Sequence, residues 1–390
     1  MLLTRVVPAQ KSFLRRHAVK LVASVLITVG VLYTVHAGGL KMVPDKGDFG
    51  SVHWAALALY APLVVAMTWF RSVRWRFLLR QIIEVPKMRL FAVSCAGFLM
   101  ILLLPFRLGE LARPYMLRTR PEDVKPGQPV LSMTAATSSI VAERVIDGMF
   151  ISVVLAIALL TVPTLHPLPE TVVGLGISVA HVRMLGFGML GLFSVAFTTI
   201  AVFYFARTWA IRATEVVIGV VSKPLAAKLA NFAAHLADGL HVFRRGRDFL
   251  GFLFETAIYW GFNALGMWLM AYACGVVHAD GSAITFGESC TLLGMLSCTI
   301  LIPGPPGLLG VFQAGIYAGM TMYFPTEVVT GAGSAYVFLL YAIQLVWTIG
   351  AAGYFLLRDR GALTQLSHTP GLGGDSEMPP SMQLGGDAAP

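Results

Sequence analysis

Several apolar segments, such as residues 18–36, 53–70, 146–165, 184–206, 249–273 and 332–357, are each long enough to cross a membrane as a helix. The hydrocarbon layer to be crossed is about 30 Å thick, and a helix rises about 1.5 Å per residue. Composition agrees: across 390 residues, 56% are hydrophobic and only 13% charged, against about a quarter charged in soluble domains. A β-barrel would need segments of about ten residues with alternating polarity, whereas these runs are continuous and rich in Leu, Ala, Val, Met and Gly. The fold class is therefore an all-α polytopic membrane protein. The run at 18–36 follows basic residues, but it exceeds the apolar core of a signal peptide and no small-x-small cleavage site follows. It reads as a retained anchor.

Orientation follows from the basic residues, which accumulate in cytoplasmic loops. Of the 29 Lys and Arg residues, 25 fall in five stretches: the N-terminal tail with Lys20, 71–89, 105–129, 206–248, and Arg358 with Arg360. Placing all five inside puts both termini in the cytoplasm and the chain in a cytoplasmic (inner) membrane. It also means that the short apolar stretch 90–104 begins and ends on one side, so it must dip in and return. Segment 286–322 repeats the pattern from the opposite side, with two apolar arms meeting at Pro303–Pro306 and no Lys or Arg in either flank.

The expected order is span, span, hairpin, span, repeated once with inverted orientation. That makes about six full spans and two re-entrant hairpins, an arrangement whose sites lie where broken helices meet. The divisions are a basic tail (1–17), a first repeat (18–165), a second repeat (166–358) and a disordered tail (359–390) rich in Gly, Pro, Ser and Asp. Within the connector 206–248, Leu225, Leu229, Phe232, Leu236, Leu240 and Phe243 form one helical stripe, which predicts an amphipathic helix along the cytoplasmic face.

Several chemistries are not indicated. Cys95, Cys274, Cys290 and Cys298 lie in or beside apolar segments with no CxxC spacing, and the nine histidines are scattered. No metal, redox centre, cofactor or nucleic-acid partner is expected, and no nucleotide-binding fingerprint is present.

Charge inside an apolar segment is costly and hence informative. The densest group is Arg107, Glu110 and Arg113 at the first hairpin, with Glu143, Arg144 and Asp147 in AERVID. Glu143 and Asp147 are four apart, on one helical face where carboxylates repel. Glu143 therefore needs a partner elsewhere, and Arg107 or Arg113 is the expected one. The group reads either as a neutral ion-pair network or as a set of arginines that exchange internal carboxylates for a headgroup phosphate. The hairpin breaks are expected at Pro105, Gly109, Pro303, Pro306, Gly307, Gly310 and Gln313, and those at Gly109 and Gly307 would let helix N-termini present free N–H groups to the same phosphate. Arg71, Arg74 and Trp75 are expected at the interface as anchors or as recruiters of lipid, and Glu255 and Glu288 as interfacial carboxylates.

These residues resemble the lysylphosphatidylglycerol synthase transmembrane-region, or flippase-like, family. The matching elements are Arg74–Arg76, Pro105–Glu110 with Arg113, Glu143–Asp147, and Pro306–Gly310. Three positions depart from the family pattern: Met100–Leu104 is wholly apolar where a polar residue is usual, Leu308 stands for a glycine and Gln313 for a glutamate. The resemblance implies a lipid-translocating module without the soluble aminoacyl-transferase domain of the bifunctional members. The expected function is flippase-like transport of an anionic or modified phospholipid or another polar lipid. The alternatives are a lipid-modifying enzyme using Glu110, Glu143 or Asp147, and a non-catalytic partner of a lipid-pathway complex that includes a separate modifying enzyme.

Overall fold

The computed structural model describes residues 43–80, 82–104, 109–119, 128–219, 222, 246–301 and 306–358. The expectations for 1–17, the span at 18–36, Pro105, Arg107, Pro303, the stripe Pro224–Phe243 and the tail 359–390 lie outside those residues. The described residues are helical, with two isolated bridges and no strand.

Four helices have both the length and the apolarity to cross a bilayer: α1 (Trp54–Leu79), α4 (Met133–Thr161), α5 (Val179–Phe203) and the segment Thr326–Arg358, whose long helix is α10 (Ala332–Arg358). Between α1 and α4 lie α2 (Lys87–Leu103) and the short α3 (Ala112–Leu117). Past α5 come α6 (Arg207–Gly219), α7 (Gly246–Ala273), α8 (Phe286–Ile300) and α9 (Val311–Met320). Helix α7 has spanning length at 28 residues, but Glu255 and Asn263 interrupt its apolar run.

Long-range contacts sort the helix ends into two groups. At one end, the backbone N–H of His53 donates to the Ala273 carbonyl at 2.7 Å and that of Leu165 to Met322 at 2.9 Å. Ser334 reaches Asp48 there at 3.1 Å. At the other end, Arg80 pairs with Asp248 at 2.8 Å and Arg76 with Glu255 at 2.5 Å. Trp75, Leu79, Leu90, Leu117, Leu131, Phe252 and Leu356 close an apolar cluster at that same end. Helices α1 and α7 are thus antiparallel neighbours.

In both expected hairpins the described arms lie side by side and antiparallel. Arms α2 and α3 run antiparallel, since Gly109 lies against Met100 and Arg113 against Gly97. The arms touch so closely that a Cβ on Gly109 would sit 2.1 Å from the Met100 carbonyl carbon. Arms α8 and α9 open at the opposite end, where His278 lies 3.3 Å from the Tyr323 carbonyl. Gly315 lets α9 lie on α8, since a Cβ there would come within 2.3 Å of Thr299 Oγ1 and 2.8 Å of Leu296 Cα. The tips meet inside the bundle: Gly307 lies against Leu102 of α2, and Tyr341 of α10 donates to the Gly307 carbonyl at 2.9 Å.

Local sequence explains the starts of these helices. Ser132 caps α4 by accepting from Ala135 N–H at 3.1 Å, and Thr285 and Glu288 cap α8 reciprocally, each cap being worth about 1 kcal/mol. Helix α5 exposes Met184, Leu192 and Val195 at 62–67%. Only a hydrocarbon solvent makes such a face favourable, and the chain is accordingly a multi-pass membrane protein.

Candidate functional site

Asp147 has fourteen residues of α4 on either side of it, out of 29. A carboxylate at the midpoint of a spanning helix needs strong partners. Arg74 supplies them. Its Nη1 donates to Asp147 Oδ1 at 2.6 Å and to Thr256 Oγ1 at 2.9 Å, and its Nη2 donates to Asp147 Oδ2 at 2.6 Å and to Glu143 Oε1 at 3.2 Å. This forked pairing is the geometry that planar guanidinium favours. It also removes the repulsion between Glu143 and Asp147 by placing one cation across both. The guanidinium stacks over Tyr259 at 4.9 Å and Phe252 at 5.3 Å.

Glu143 has no exposed surface and gathers three arginines: Arg74, Arg144 at 2.6 Å, and Arg113 at 3.4 Å to both oxygens. The last contact is the link expected between the first hairpin and the Glu143 helix. Arg113 reaches it by crossing α2 at Gly97, where a Cβ would lie 2.4 Å from Arg113 Cγ. Its guanidinium rests on Trp75 at 4.6 Å. Arg144 also approaches Asp147 at 3.7 Å, and Trp260 Nε1 donates to Asp147 at 3.3 Å. The cluster forms a polar layer between two apolar ones, with Met67 and Ile151 in one and Trp75 and Ile146 in the other.

Arg71 differs from these arginines. Among the described residues it has no carboxylate partner, its Nε is buried without a hydrogen bond, and its guanidinium lies 4.3 Å over the Phe98 ring. It also faces open space. A central cavity of about 540 Å³ is bounded at one end by Arg71, Glu110, Arg144 and Asp147 and elsewhere by apolar side chains such as Ile151, Phe193, Leu293 and Phe312. Glu110 and Leu111 come from the first hairpin tip, Ile300, Leu301 and Phe312 from the second. A smaller cavity of about 100 Å³ adjoins it, and Arg71, Tyr259, Asn263 and Gln344 line both.

The geometry revises several expectations. Arg74 and Trp75 are wholly buried, and the Trp75 indole donates to Ser139 at 2.9 Å, so the interfacial recruitment expected of them is corrected to an internal structural role. Arg71 is the member of that group with access to the cavity. Of the expected headgroup residues, Glu110, Arg144 and Asp147 line the cavity, while Arg113 and Glu143 stand behind them. At the second hairpin, Pro306–Leu308 form a tight turn with Gly307 at φ 72° and Leu308 at φ 57°. The Gly310 N–H is taken by Gln313 Oε1 at 2.7 Å, so that donor is not open to a phosphate. Glu255 and Glu288 are held by Arg76 and His278. Asn263 and Gln344 were missed; a lone side-chain amide inside an apolar span was the available signal.

Buried guanidinium–carboxylate pairs under a two-hairpin cavity define a helical membrane protein built around one intramembrane polar site. The family model of the lysylphosphatidylglycerol synthase TM region matches residues 18–353, and the chain belongs to that family. No curated protein and no solved structure matches it.

Proposed function

We propose that this chain binds a polar lipid by its phosphate-bearing headgroup in the central cavity and passes it between the leaflets of a cytoplasmic membrane. The observation that carries the reading is the cavity itself: about 540 Å³, lined by the charged Arg71, Glu110, Arg144 and Asp147, by a few polar groups such as Asn263 and Gln344, and by many apolar side chains. A headgroup needs the first property and the attached chains need the second. Charge asymmetry supports the orientation. Arg76, Arg80, Lys87, Arg89, Arg118, Arg247 and Arg358 outnumber Glu84, Asp248 and Glu255 toward one end of the bundle, whereas Asp45, Asp48, Glu170, Asp280 and Glu327 outnumber Lys46 and Arg183 toward the other, which supports a cytoplasmic basic end. The enzymatic alternative is weakened because Glu143 and Asp147 are each held by two or more arginines, which leaves them poorly suited to exchanging protons.

Purified protein in liposomes containing a fluorescent lipid with a quenchable headgroup tests the reading. The native chain should accelerate loss of inner-leaflet fluorescence, and Arg144→Ala should slow that loss by about tenfold or more. Identical traces from native, variant and empty liposomes would sink the reading. New lipid species appearing on incubation would instead favour lipid modification.

A further inference from the structure

The partition between the two cavities is made of four side chains from three helices: Arg71 on α1, Tyr259 and Asn263 on α7, and Gln344 on α10. Asn263 uses its amide NH2 on the Tyr259 carbonyl at 2.7 Å, and Gln344 uses its NH2 on the Tyr60 hydroxyl at 3.1 Å. Neither amide oxygen has a hydrogen-bond partner among the described residues, and neither is sealed away from the cavities. Both oxygens are acceptors and lie in the wall that carries Arg71, whose guanidinium touches no carboxylate among the described residues although Glu110 and Asp147 line the same cavity. The wall thus offers one positive charge and two acceptors to whatever fills it. The local balance has the same sign: Arg71, Arg74, Arg113 and Arg144 stand against Glu110, Glu143 and Asp147 among the described residues.

A guanidinium whose fork is unoccupied in a cavity wall is open to a bidentate anion, so a bound anion is the natural complement. A phosphodiester fits, since it carries one charge and its two free oxygens match the guanidinium fork. The amide oxygens require donors, and a headgroup supplies these as hydroxyls or as amines. An amine would bring a cation beside Arg71, which is repulsive, whereas a hydroxyl brings none.

We infer that the Arg71–Asn263–Gln344 wall selects a monoanionic phosphodiester lipid whose headgroup carries hydroxyls, as in a glycerol or sugar headgroup, and disfavours aminoacylated, cationic headgroups. This rests on the lipid-binding reading above and narrows it to a substrate class. It also separates this chain from what the family name alone would suggest.

The test measures competition against a fluorescent phosphatidylglycerol bound to full-length protein in phosphatidylcholine nanodiscs. The competitors are phosphatidylglycerol, phosphatidylmethanol (the same single charge without hydroxyls), lysylphosphatidylglycerol and inorganic phosphate. Phosphatidylglycerol should compete best, about three- to tenfold better than phosphatidylmethanol, with lysylphosphatidylglycerol weaker than both. Asn263→Ala with Gln344→Ala should erase the preference for hydroxyls while leaving phosphatidylmethanol bound. Asn263→Asp, nearly isosteric, should give Arg71 an internal partner and weaken every anionic lipid by about tenfold or more. Equal competition by phosphatidylglycerol and phosphatidylmethanol, or a preference for the lysylated lipid, would overturn this inference and leave the lipid-binding reading standing. Absence of any saturable lipid binding, or displacement by inorganic phosphate as effective as by lipid, would overturn both.

Discussion

The two hairpins share an architecture and differ in chemistry. Each has two arms that open at one end of the bundle, a glycine where the arms touch, and a tip at the centre. The first projects Glu110 into the cavity and Arg113 onto Glu143. The second has no charged side chain at its described break: Gln313 accepts from the Gly310 N–H, and Glu288, at the far end of α8, is held by His278 and by the helix cap. The charged side chains that line the cavity, Arg71, Glu110, Arg144 and Asp147, all precede α5, while the later helices contribute the amides of Asn263 and Gln344.

The largest way to break this contrast is at Glu143. Glu143→Gln leaves the buried Arg74 and Arg113 and the half-buried Arg144 sharing fewer charges, and should lower stability by about 3–5 kcal/mol. The readout is the melting temperature of the detergent-purified protein, and an unchanged melting temperature would remove the structural role assigned to the cluster. In the second hairpin the sensitive quantity is space. Gly315→Val should cost about 1–3 kcal/mol through overpacking against Leu296, while Gly188→Val, where a Cβ meets nothing within 4 Å, should leave melting unaltered. Equal effects at the two sites would refute the close packing of α8 and α9. Gln313→Ala should cost about 1 kcal/mol by opening the cap. If it instead abolished lipid movement with melting intact, the second hairpin would not be chemically neutral. The smallest effect is expected at Leu308, which holds a left-handed conformation at φ 57°. Leu308→Gly should relieve that strain, less the added freedom of the unfolded chain, for a net gain of about 0.5–1 kcal/mol; a loss would mean that the leucine side chain packs more strongly than its backbone is strained.

What could be read from the sequence was what depends on one helix at a time. Apolar length located the spanning helices, the prolines and glycines located the breaks, and the four-residue spacing of Glu143 and Asp147 showed that a cation was missing. Which cation could not be read. Arg74 sits in RSVRWRFLLR among residues that look interfacial, yet it shares a helical face with Arg71 and Leu78 and turns inward, while Arg76 and Arg80 lie on another face and reach Glu255 and Asp248. Those partners are 179 and 168 residues away, and sequence spacing carries no information at that range. The Thr285–Glu288 cap was more accessible: a Thr followed three residues later by Glu marks a helix start, and it explains Glu288 without a role in transport. Asn263 and Gln344 acquire meaning only when three helices bring them beside Arg71.

Helix α1 is tied at its start to the Ala273 carbonyl and near its end to Asp248, so the Arg71 charge is anchored to the scaffold. On the proposed reading, a monoanion released from it would leave its counter-charge behind and feel the membrane voltage directly, about 2.3 kcal/mol per charge for each 100 mV.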